Sequence, residues 1–285
     1  MKILYNYANR RFYGSQKLNT STGYSVGCFD TVYQYGLADF DHEYYSKNRH
    51  ILDQPRGAGY WIWKYYFAKK LLSDDSIPEG SYIFYSDSGS VFVDSVDKLI
   101  AVMDRDNISV MTFRQNHLSY FWTKRDVFIL MNADEPKYTH TGQRAGGWFL
   151  LKKNDDSRAF IEECYNYSLD YRICTDVPNT LGFANYGGFY DHRHDESLIS
   201  IVSKKFDLFP YRNPSQHGFT DDVDMTDNMY GEEGLRRMIE KFGINDWVNK
   251  YRHYFHGESL NQYPDFFIDD KSTYPTIVEL HRNPN

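Results

Sequence analysis

Short apolar segments alternate with longer amphipathic ones over the first two thirds of the chain. Four segments have the composition of strands: Met1–Tyr7, Ser81–Ser86, Ile108–Phe113 and Trp148–Leu151. Helical spacing of apolar residues appears in Gly59–Leu72, Asp94–Met103, Asp155–Tyr171 and the segment that follows His192–Glu196. Strands that alternate with helices in this way predict an α/β domain with an open, mixed and mainly parallel sheet flanked by helices.

Two regions depart from this alternation. Residues 8–27 are polar, so we expect a loop after the first strand, where open α/β sheets hold their ligands. Beyond about Pro210 the pattern weakens, although Glu232–Phe242 has the spacing of an amphipathic helix. We therefore predict one domain, with a ligand-binding core over residues 1–210 and a C-terminal extension over 211–285 that serves as a lid or an acceptor-site segment.

Composition excludes several classes of protein. The 285 residues are 41% hydrophobic, which is enough for a folded core, and their formal net charge is −7 without a long basic run. This charge argues against a nucleic-acid partner held by phosphate contacts. Tyrosine and phenylalanine, at 26 and 20 residues, suit a site that stacks bases or sugar faces, or equally a mixed surface.

Location is predicted from the cysteines and the hydropathy. The three cysteines match neither a zinc site nor a redox pair, which favours a reducing compartment. The N-terminal segment turns polar too soon for a secretory signal, and no window approaches the roughly 18 apolar residues of a membrane span. We expect a cytoplasmic protein with no membrane span.

An aspartate closes the second predicted strand, in the sequence Tyr85–Ser90. Asp87, Ser88 and Gly89 form a turn there, and a carboxylate at such a turn can hold a divalent cation that neutralises a leaving pyrophosphate. The alternative is a plain capping aspartate.

A second cluster, Arg56–Lys64, precedes this turn and has the sequence RGAGYWIWK. Its glycines let backbone N–H groups approach an anion, Arg56 offers a planar fork for a phosphate or for Asp87, and Lys64 adds a point charge. A tight turn before a buried aromatic helix is the competing interpretation.

Two later clusters carry further polar groups. Residues 143–147 have the sequence QRAGG and combine amide and guanidinium donors with small residues, which suits contact with sugar hydroxyls, or a simple turn. His192–Glu196 places five ionisable side chains at a helix start, where N–H groups favour anions. Asp195 or Glu196 is a candidate base or charge-balancing partner, unless the cluster is only a solvated cap.

Motifs of other enzyme classes are absent from the sequence. We find no GxGxxG after a strand, no GxxxxGK[ST], no HExxH and no GxSxG. Dinucleotide oxidoreductases, P-loop NTPases, zincins and serine hydrolases therefore have no support.

In this order and spacing, the clusters resemble a family of GT-A-fold nucleotide-sugar glycosyltransferases from bacterial surface-polysaccharide loci and large DNA viruses. The matching blocks are RGAGYWIWK, YxDxG, WTK, AGG and HRHD, here at Arg56–Lys64, Tyr85–Gly89, Trp122–Lys124, Ala145–Gly147 and His192–Asp195. Three departures stand out: Gly89 replaces the second Asp of a DxD motif, Glu196 replaces a common Gln, and Tyr65 replaces a usual Pro.

The resemblance implies a role for each block. The first strand would lie beside the nucleobase, through Tyr5, Asn6 and Tyr7. Arg56 would contact the diphosphate or the metal-site carboxylate, and Asp87 the ribose or a Mn or Mg ion. The remaining donor contacts would come from Lys64, Ser88, Gly89, Gln143, Ala145, Gly146, Gly147 and His194.

The same resemblance implies a catalytic centre and a metal site. Asp195, with Glu196 second, would lie at the reacting centre. Because Gly89 removes one carboxylate, either Asp87 holds the metal together with a downstream histidine or the metal is dispensable. His217, His256 and His281 are the candidate histidines; the sequence does not choose between them, and we enter His217 in the predicted site.

Together these features predict a transferase that moves a monosaccharide from a UDP-sugar, with galactose, glucose or xylose as candidates, to a glycan hydroxyl. The rival is a catalytically silent carbohydrate- or nucleotide-binding protein on the same fold. A nucleotidyltransferase is disfavoured, because residues 8–27 lack a glycine- and lysine-rich triphosphate loop.

Overall fold

The computed structural model describes residues 1–216, 218 and 271–281. Its strands are β1 (Lys2–Tyr7), β2 (Thr31–Tyr35), β3 (Tyr82–Ser86), β4 (Ser90–Phe92), β5 (Val110–Leu118), β6 (Gly142–Lys152), β7 (Pro210–Tyr211) and β8 (Val278–Leu280). Six of them form one sheet in the order β2-β1-β3-β6-β5-β7, and β4 pairs with β8 in a second, small sheet. In the large sheet β6 is antiparallel to both neighbours, while the other five strands run in one direction. The predicted α/β class with a mixed, mainly parallel sheet is confirmed.

Helices cover both faces of the large sheet. They are α1 (Tyr13–Ser25), α2 (His42–Leu52), α3 (Gly57–Tyr60), α4 (Trp63–Leu72), α5 (Asp97–Arg105), α6 (Arg125–Leu130), α7 (Pro136–Thr139), α8 (Asp155–Ser168), α9 (Tyr171–Cys174) and α10 (His194–Lys205). Short 3-10 helices occur at Arg10–Phe12, Leu37–Asp39 and Ser119–Phe121.

The strands are apolar on both sides because both faces of the sheet are covered. On β3, Ile83 and Tyr85 enter one hydrophobic cluster while Phe84 between them enters the other. The first cluster packs against α4, α8 and α10, and the second against α5 and the C-terminal segment. This double coverage explains why the central strands were recognisable as short apolar runs.

The loop predicted over residues 8–27 is wrong, since most of it forms α1. The buried face of α1 is polar: Gln16 Nε2 donates to Asn6 Oδ1 at 3.0 Å, and Asn6 Nδ2 donates to Asn19 Oδ1 at 2.7 Å. A helix that buries side-chain amides has no apolar stripe, so hydropathy gives no signal for it.

Part of the predicted C-terminal extension belongs to the core. Tyr274, Ile277 and Val278 are buried in the second cluster, and β8 lies antiparallel to β4. The helix predicted at Glu232–Phe242 lies outside the described residues.

The chain makes a left-handed turn at α3, directly before α4. The angle φ is positive at five successive residues: 57° at Gly57, 49° at Ala58, 96° at Gly59, 51° at Tyr60 and 60° at Trp61. Left-handed backbone costs roughly 1–2 kcal/mol per non-glycine residue. The predicted helix therefore starts at Trp63 rather than at Gly59, and strained backbone of this kind is typical of functional sites.

Gly59 tests how tightly this turn is constrained. A Cβ on Gly59 would lie 2.7 Å from the Leu52 Cα, whereas one on Gly80, also at positive φ, would meet nothing within 4 Å. We expect Gly59→Ala to lower the free energy of unfolding by about 2–4 kcal/mol, from backbone strain plus overpacking, and Gly80→Ala by about 1 kcal/mol. Urea denaturation of the two variants measures the difference, and equal losses would contradict the proposed constraint.

Candidate functional site

A cleft of about 680 Å³ opens where β1 and β3 end and where α10 begins. Eleven residues singled out in the sequence line it: Tyr7, Arg56, Lys64, Asp87, Ser88, Gly89, Gly146, Gly147, His194, Asp195 and Glu196. The four sequence clusters, which are far apart along the chain, therefore meet in one place.

One end of the cleft is aromatic. The rings of Tyr7 and Trp63 stack, with centroids 4.2 Å apart and an interplanar angle of 21°. Tyr5 and Asn6, which we expected beside a nucleobase, do not line the cleft: both are fully buried. Tyr5 donates its hydroxyl proton to the Lys64 carbonyl at 3.0 Å, so its role is to support the wall from beneath.

The Asp87 turn forms the middle of the cleft. The Asp87 amide donates to the Gly147 carbonyl at 3.0 Å, and the Ser88 hydroxyl donates to the Tyr7 carbonyl at 2.6 Å. The Tyr85 hydroxyl donates to Asp87 Oδ1. These bonds fix the carboxylate of Asp87, whose side chain stays 35% exposed and is thus open to a ligand.

A buried ammonium lies at the floor of the cleft. Lys64 Nζ donates to Asp195 Oδ2 at 2.6 Å and to the Gly146 carbonyl at 2.7 Å, and it lies 3.3 Å from Asp87 Oδ1. Lys64 is only 2% exposed. Burial works against its charge, but the two carboxylates outweigh it and raise the pKa of Lys64. A fixed cation therefore joins the Asp87 turn to the start of α10.

Asp195 has an unusual acidity. Burial raises the pKa of Asp195 to about 7, with Lys64 opposing the rise and Asp87 and Glu196 adding to it. A carboxyl group with this pKa changes its charge near neutrality.

Glu196 is held as an anion. It accepts a hydrogen bond from Gln143 Nε2 at 3.1 Å and one from the Gly146 amide at 3.2 Å. Burial alone would raise the pKa of Glu196, but His117 and the Gly146 amide bring it below its usual value. Neighbouring carboxyl groups with divergent pKa values are typical of catalytic sites.

Gly146 has no room for a side chain. A Cβ there would lie 2.9 Å from the Glu196 Cβ and 3.0 Å from Asp195 Oδ2. Gly146 therefore lets β6 approach α10 closely, whereas a Cβ on Gly147 would lie 3.4 Å from Asp87 Oδ2. Gln143 and Ala145 are fully buried behind the cleft and do not line it, so the predicted ligand contacts of these two residues do not fit their positions.

The sequence allowed an ion pair between Arg56 and the Asp87 carboxylate, but Arg56 instead lies next to two other aspartates. Its guanidinium lies 3.5 Å from Asp176 Oδ2 and 3.6 Å from Asp191 Oδ2, both on the long loop between α9 and α10. The Tyr60 hydroxyl also donates to Asp176, at 3.0 Å. Arg56 is 43% exposed and is one of the residues that line the cleft.

Sequence reasoning missed several residues of the wall: Arg11, Phe12, Trp61, Gln115, Trp148 and Leu280. Trp61 lies within the Arg56–Lys64 cluster, but no role was predicted for it. Arg11 and Phe12 lie directly after the first strand, and this position is the one feature of the sequence that could have indicated a place in the cleft. The others carry no local motif and reach the cleft only through the fold.

The predicted metal ligands are only partly described. His217 and His256 lie outside the described residues. His281 is brought to the Asp87 turn, because its amide donates to the Gly89 carbonyl at 3.0 Å. Within residues 1–216, 218 and 271–281, no group of three or more His, Cys, Asp or Glu side chains is placed to hold a metal ion.

None of the helices among the described residues is both long and apolar enough to cross a bilayer.

Comparison with known proteins gives structural matches only. No family model matches the chain. No curated protein matches it either. Mouse xyloside xylosyltransferase 1, in its apo form, matches with a TM-score of 0.48 and 9% identity over 99% of this chain and 97% of that one. The galactosyltransferase LgtC with donor and acceptor sugar analogues matches with a TM-score of 0.43 and 12% identity, covering 100% and 88% of the two chains. An active-site mutant of LgtC matches with a TM-score of 0.45 and 10% identity, covering 99% and 87%.

Proposed function

We propose that the chain is a glycosyltransferase that moves a monosaccharide from a nucleotide-diphosphate sugar, UDP-linked by preference, to a hydroxyl group of a glycan acceptor. The observation that carries this proposal is the buried Lys64 ammonium, which bridges Asp87 and Asp195 at the floor of a cleft with a stacked aromatic end. Such a site offers a platform for a flat base, cations for a diphosphate and carboxylates for a sugar.

We infer a position for each part of the donor from the residues that line the cleft. Aromatic residues of the cleft lining, among them Tyr7, Phe12 and Trp61, suit a base, since every base has a π-face. The diphosphate lies near the rim, where Arg56 and Arg11 are cations in the wall. The sugar then lies next to Gly146 and Gly147, which line the cleft beside Asp195.

A Mn or Mg ion belongs to the same proposal. Asp87, with its exposed carboxylate, and His281, whose backbone is bonded to Gly89, are the described residues that would hold it. Two protein ligands are too few for an all-protein cage, but they suit an ion that is bound mainly by substrate phosphates. When bound, the ion would neutralise charge on the departing diphosphate. His217 remains a predicted ligand outside the described residues.

The reacting centre lies at the start of α10. Asp195 is the carboxylate that takes the acceptor proton or balances an oxocarbenium-like charge, and Lys64 holds it in place at 2.6 Å. Glu196 is second in rank, because Gln143 and the Gly146 amide already bind its oxygens. These residues are preorganised by burial, which strengthens their electrostatic effect.

A catalytically silent binding protein is the second candidate function. The observation that favours it is Gly89, which leaves Asp87 as the one carboxylate of the turn. Such a protein would bind a nucleotide or glycan without releasing a nucleoside diphosphate.

A ligand panel separates the two functions. We expect UDP, or a UDP-sugar, to raise the melting temperature of the protein with manganese present, and less without it, because a ligand that binds the native state stabilises it. GDP and CDP with their sugars serve as controls for the base. Release of UDP from UDP-glucose, UDP-galactose or UDP-xylose is then measured with methyl glycosides as acceptors. Binding without release in every combination would favour the binding protein, and no shift with any nucleotide would overturn the proposal.

A further inference from the structure

Next to the carboxylates, one histidine has the environment of a general base. His194 Nε2 lies 2.8 Å from Asp176 Oδ1, and His194 is one of the residues that line the cleft, with a side chain that is 2% exposed. The other ring nitrogen, Nδ1, makes no hydrogen bond within the part of the chain that the structure describes. Because a carboxylate accepts but does not donate, Asp176 fixes the proton on Nε2 and leaves the Nδ1 lone pair open.

Asp176 is itself held rigidly. Lys124 Nζ donates to the Thr175 and Val177 carbonyls, at 2.8 Å each, and so grips the chain on both sides of Asp176. The Tyr60 hydroxyl donates to its second carboxylate oxygen at 3.0 Å. These hydrogen bonds fix the position of Asp176, so its carboxylate is suited to orienting the neighbouring His194 ring.

The charge state of the ring also suits a base. Burial lowers the pKa of His194 below its ordinary value, and Asp176 opposes this shift only in part. The other charged or titratable groups near the ring are Arg56 and Asp191, the imidazole of His192 and the phenol of Tyr60, whose ring centroids are 4.9 and 5.1 Å away. The lowered pKa favours the neutral imidazole, which carries a lone pair on Nδ1 when the proton is on Nε2.

The two carboxylates of the reacting centre already have hydrogen-bond partners. Asp195 Oδ2 accepts a hydrogen bond from the Lys64 ammonium at 2.6 Å. Glu196 accepts hydrogen bonds on both of its oxygens. These contacts hold both groups in place to balance charge, whereas the His194 ring keeps one nitrogen without a hydrogen bond among the described residues.

We propose that His194 is the general base of the transfer reaction, oriented by Asp176 as a positioning residue, while Asp195 balances charge at the sugar. This inference rests on the proposed function. As the acceptor oxygen bonds to the anomeric carbon, its proton moves to Nδ1. The bond from that carbon to the diphosphate oxygen breaks, and the electron pair leaves with the diphosphate. The imidazolium then returns its proton to water.

Removal of the imidazole tests the base directly. With the UDP-sugar that turns over and a methyl glycoside, we expect His194→Ala to lower kcat about 10²–10⁴-fold while the affinity for UDP is kept. Added imidazole should raise the rate of the variant at least about tenfold, and this increase should depend on pH as the ionisation of free imidazole does. A merely structural role of His194 would give no such rescue.

Two further measurements test the role of His194: one varies the acidity of the acceptor, and the other replaces Asp176. Trifluoroethanol and methanol are compared as acceptors. The hydroxyl group of trifluoroethanol is more acidic and needs a base less, so His194→Ala should lower the transfer rate to trifluoroethanol less than the rate to methanol. Asp176→Asn should lower kcat about 10–100-fold, with partial recovery in Asp176→Glu. His50→Ala, a histidine on the exposed side of α2, is the matched control and should match the wild type.

The outcomes separate the two proposals. If the wild type releases no UDP from any donor, the proposed function fails. If the wild type transfers sugar but His194→Ala keeps its rate, or if a folded variant is not rescued by imidazole, only the assignment of His194 fails. His194→Gln serves if the alanine variant does not fold, and the methanol and trifluoroethanol comparison is then made with it.

Discussion

Asp87→Ala should abolish manganese-dependent nucleotide binding and reduce turnover at least about 10³-fold, because a bound cation is worth several kcal/mol in the transition state. The fold should survive, since the Asp87 side chain is 35% exposed and its backbone bond to Gly147 does not need the carboxylate. The measurement is UDP release, together with the melting temperature with and without UDP and manganese.

Two further variants show whether the loss of turnover in Asp87→Ala comes from the missing carboxylate charge. Asp87→Asn keeps an acceptor for the Tyr85 hydroxyl but removes the charge, so it should resemble Asp87→Ala in turnover. Asp75→Ala removes an exposed aspartate that does not line the cleft and should leave turnover unchanged. Wild-type turnover in Asp87→Ala would overturn the assignment of this turn to the donor site.

The variant also reports on Lys64. In Asp87→Ala the ammonium keeps Asp195 and the Gly146 carbonyl but loses the carboxylate at 3.3 Å. Less negative charge near Asp195 should lower its pKa, since Asp87 contributes to the raised value. Any residual activity should therefore begin to rise at a lower pH than in the wild type.

The sheet could be predicted from the sequence because strands buried on both faces are continuous apolar runs. The four blocks of the candidate site could be named from their residue types, and Asp87 also from its position directly after β3, whereas the AGG residues lie within β6 rather than before it. Their meeting in one cleft follows from the sheet order, in which β1, β3 and β6 are neighbours. The sequence does not specify that order.

Other parts of the site were not predictable for physical reasons. The Gly57–Trp61 turn is left-handed, and three of its residues, Ala58, Tyr60 and Trp61, are not glycine. Only tertiary contacts can impose such a backbone on them. Asp176 and Asp191 lie in a loop without a motif, yet they bind Arg56, for which the sequence predicted a phosphate or Asp87 as the partner. A long loop has no periodicity from which its contacts could be inferred.

Asp195→Asn should lower kcat by about 10²-fold or more with nucleotide affinity nearly kept, because one preorganised electrostatic contact is typically worth this much. The wild-type rate should rise as pH increases through about 7, where buried Asp195 loses its proton and becomes able to balance positive charge. The variant should lack this rise. An unchanged pH profile would show that another group controls it, and Glu196 would be tested next.

The same carboxyl group should affect stability with the opposite sign. Folded Asp195 keeps its proton up to about pH 7, whereas the unfolded chain releases it near pH 4. Ionisation between these values therefore favours the unfolded state, and the wild type should lose stability relative to Asp195→Asn as pH rises across this window. Thermal unfolding of both proteins from pH 5 to 8 measures this difference. A gap that stays constant would mean that Lys64 keeps Asp195 ionised throughout, so that its charge is permanent and the pH dependence of turnover arises elsewhere.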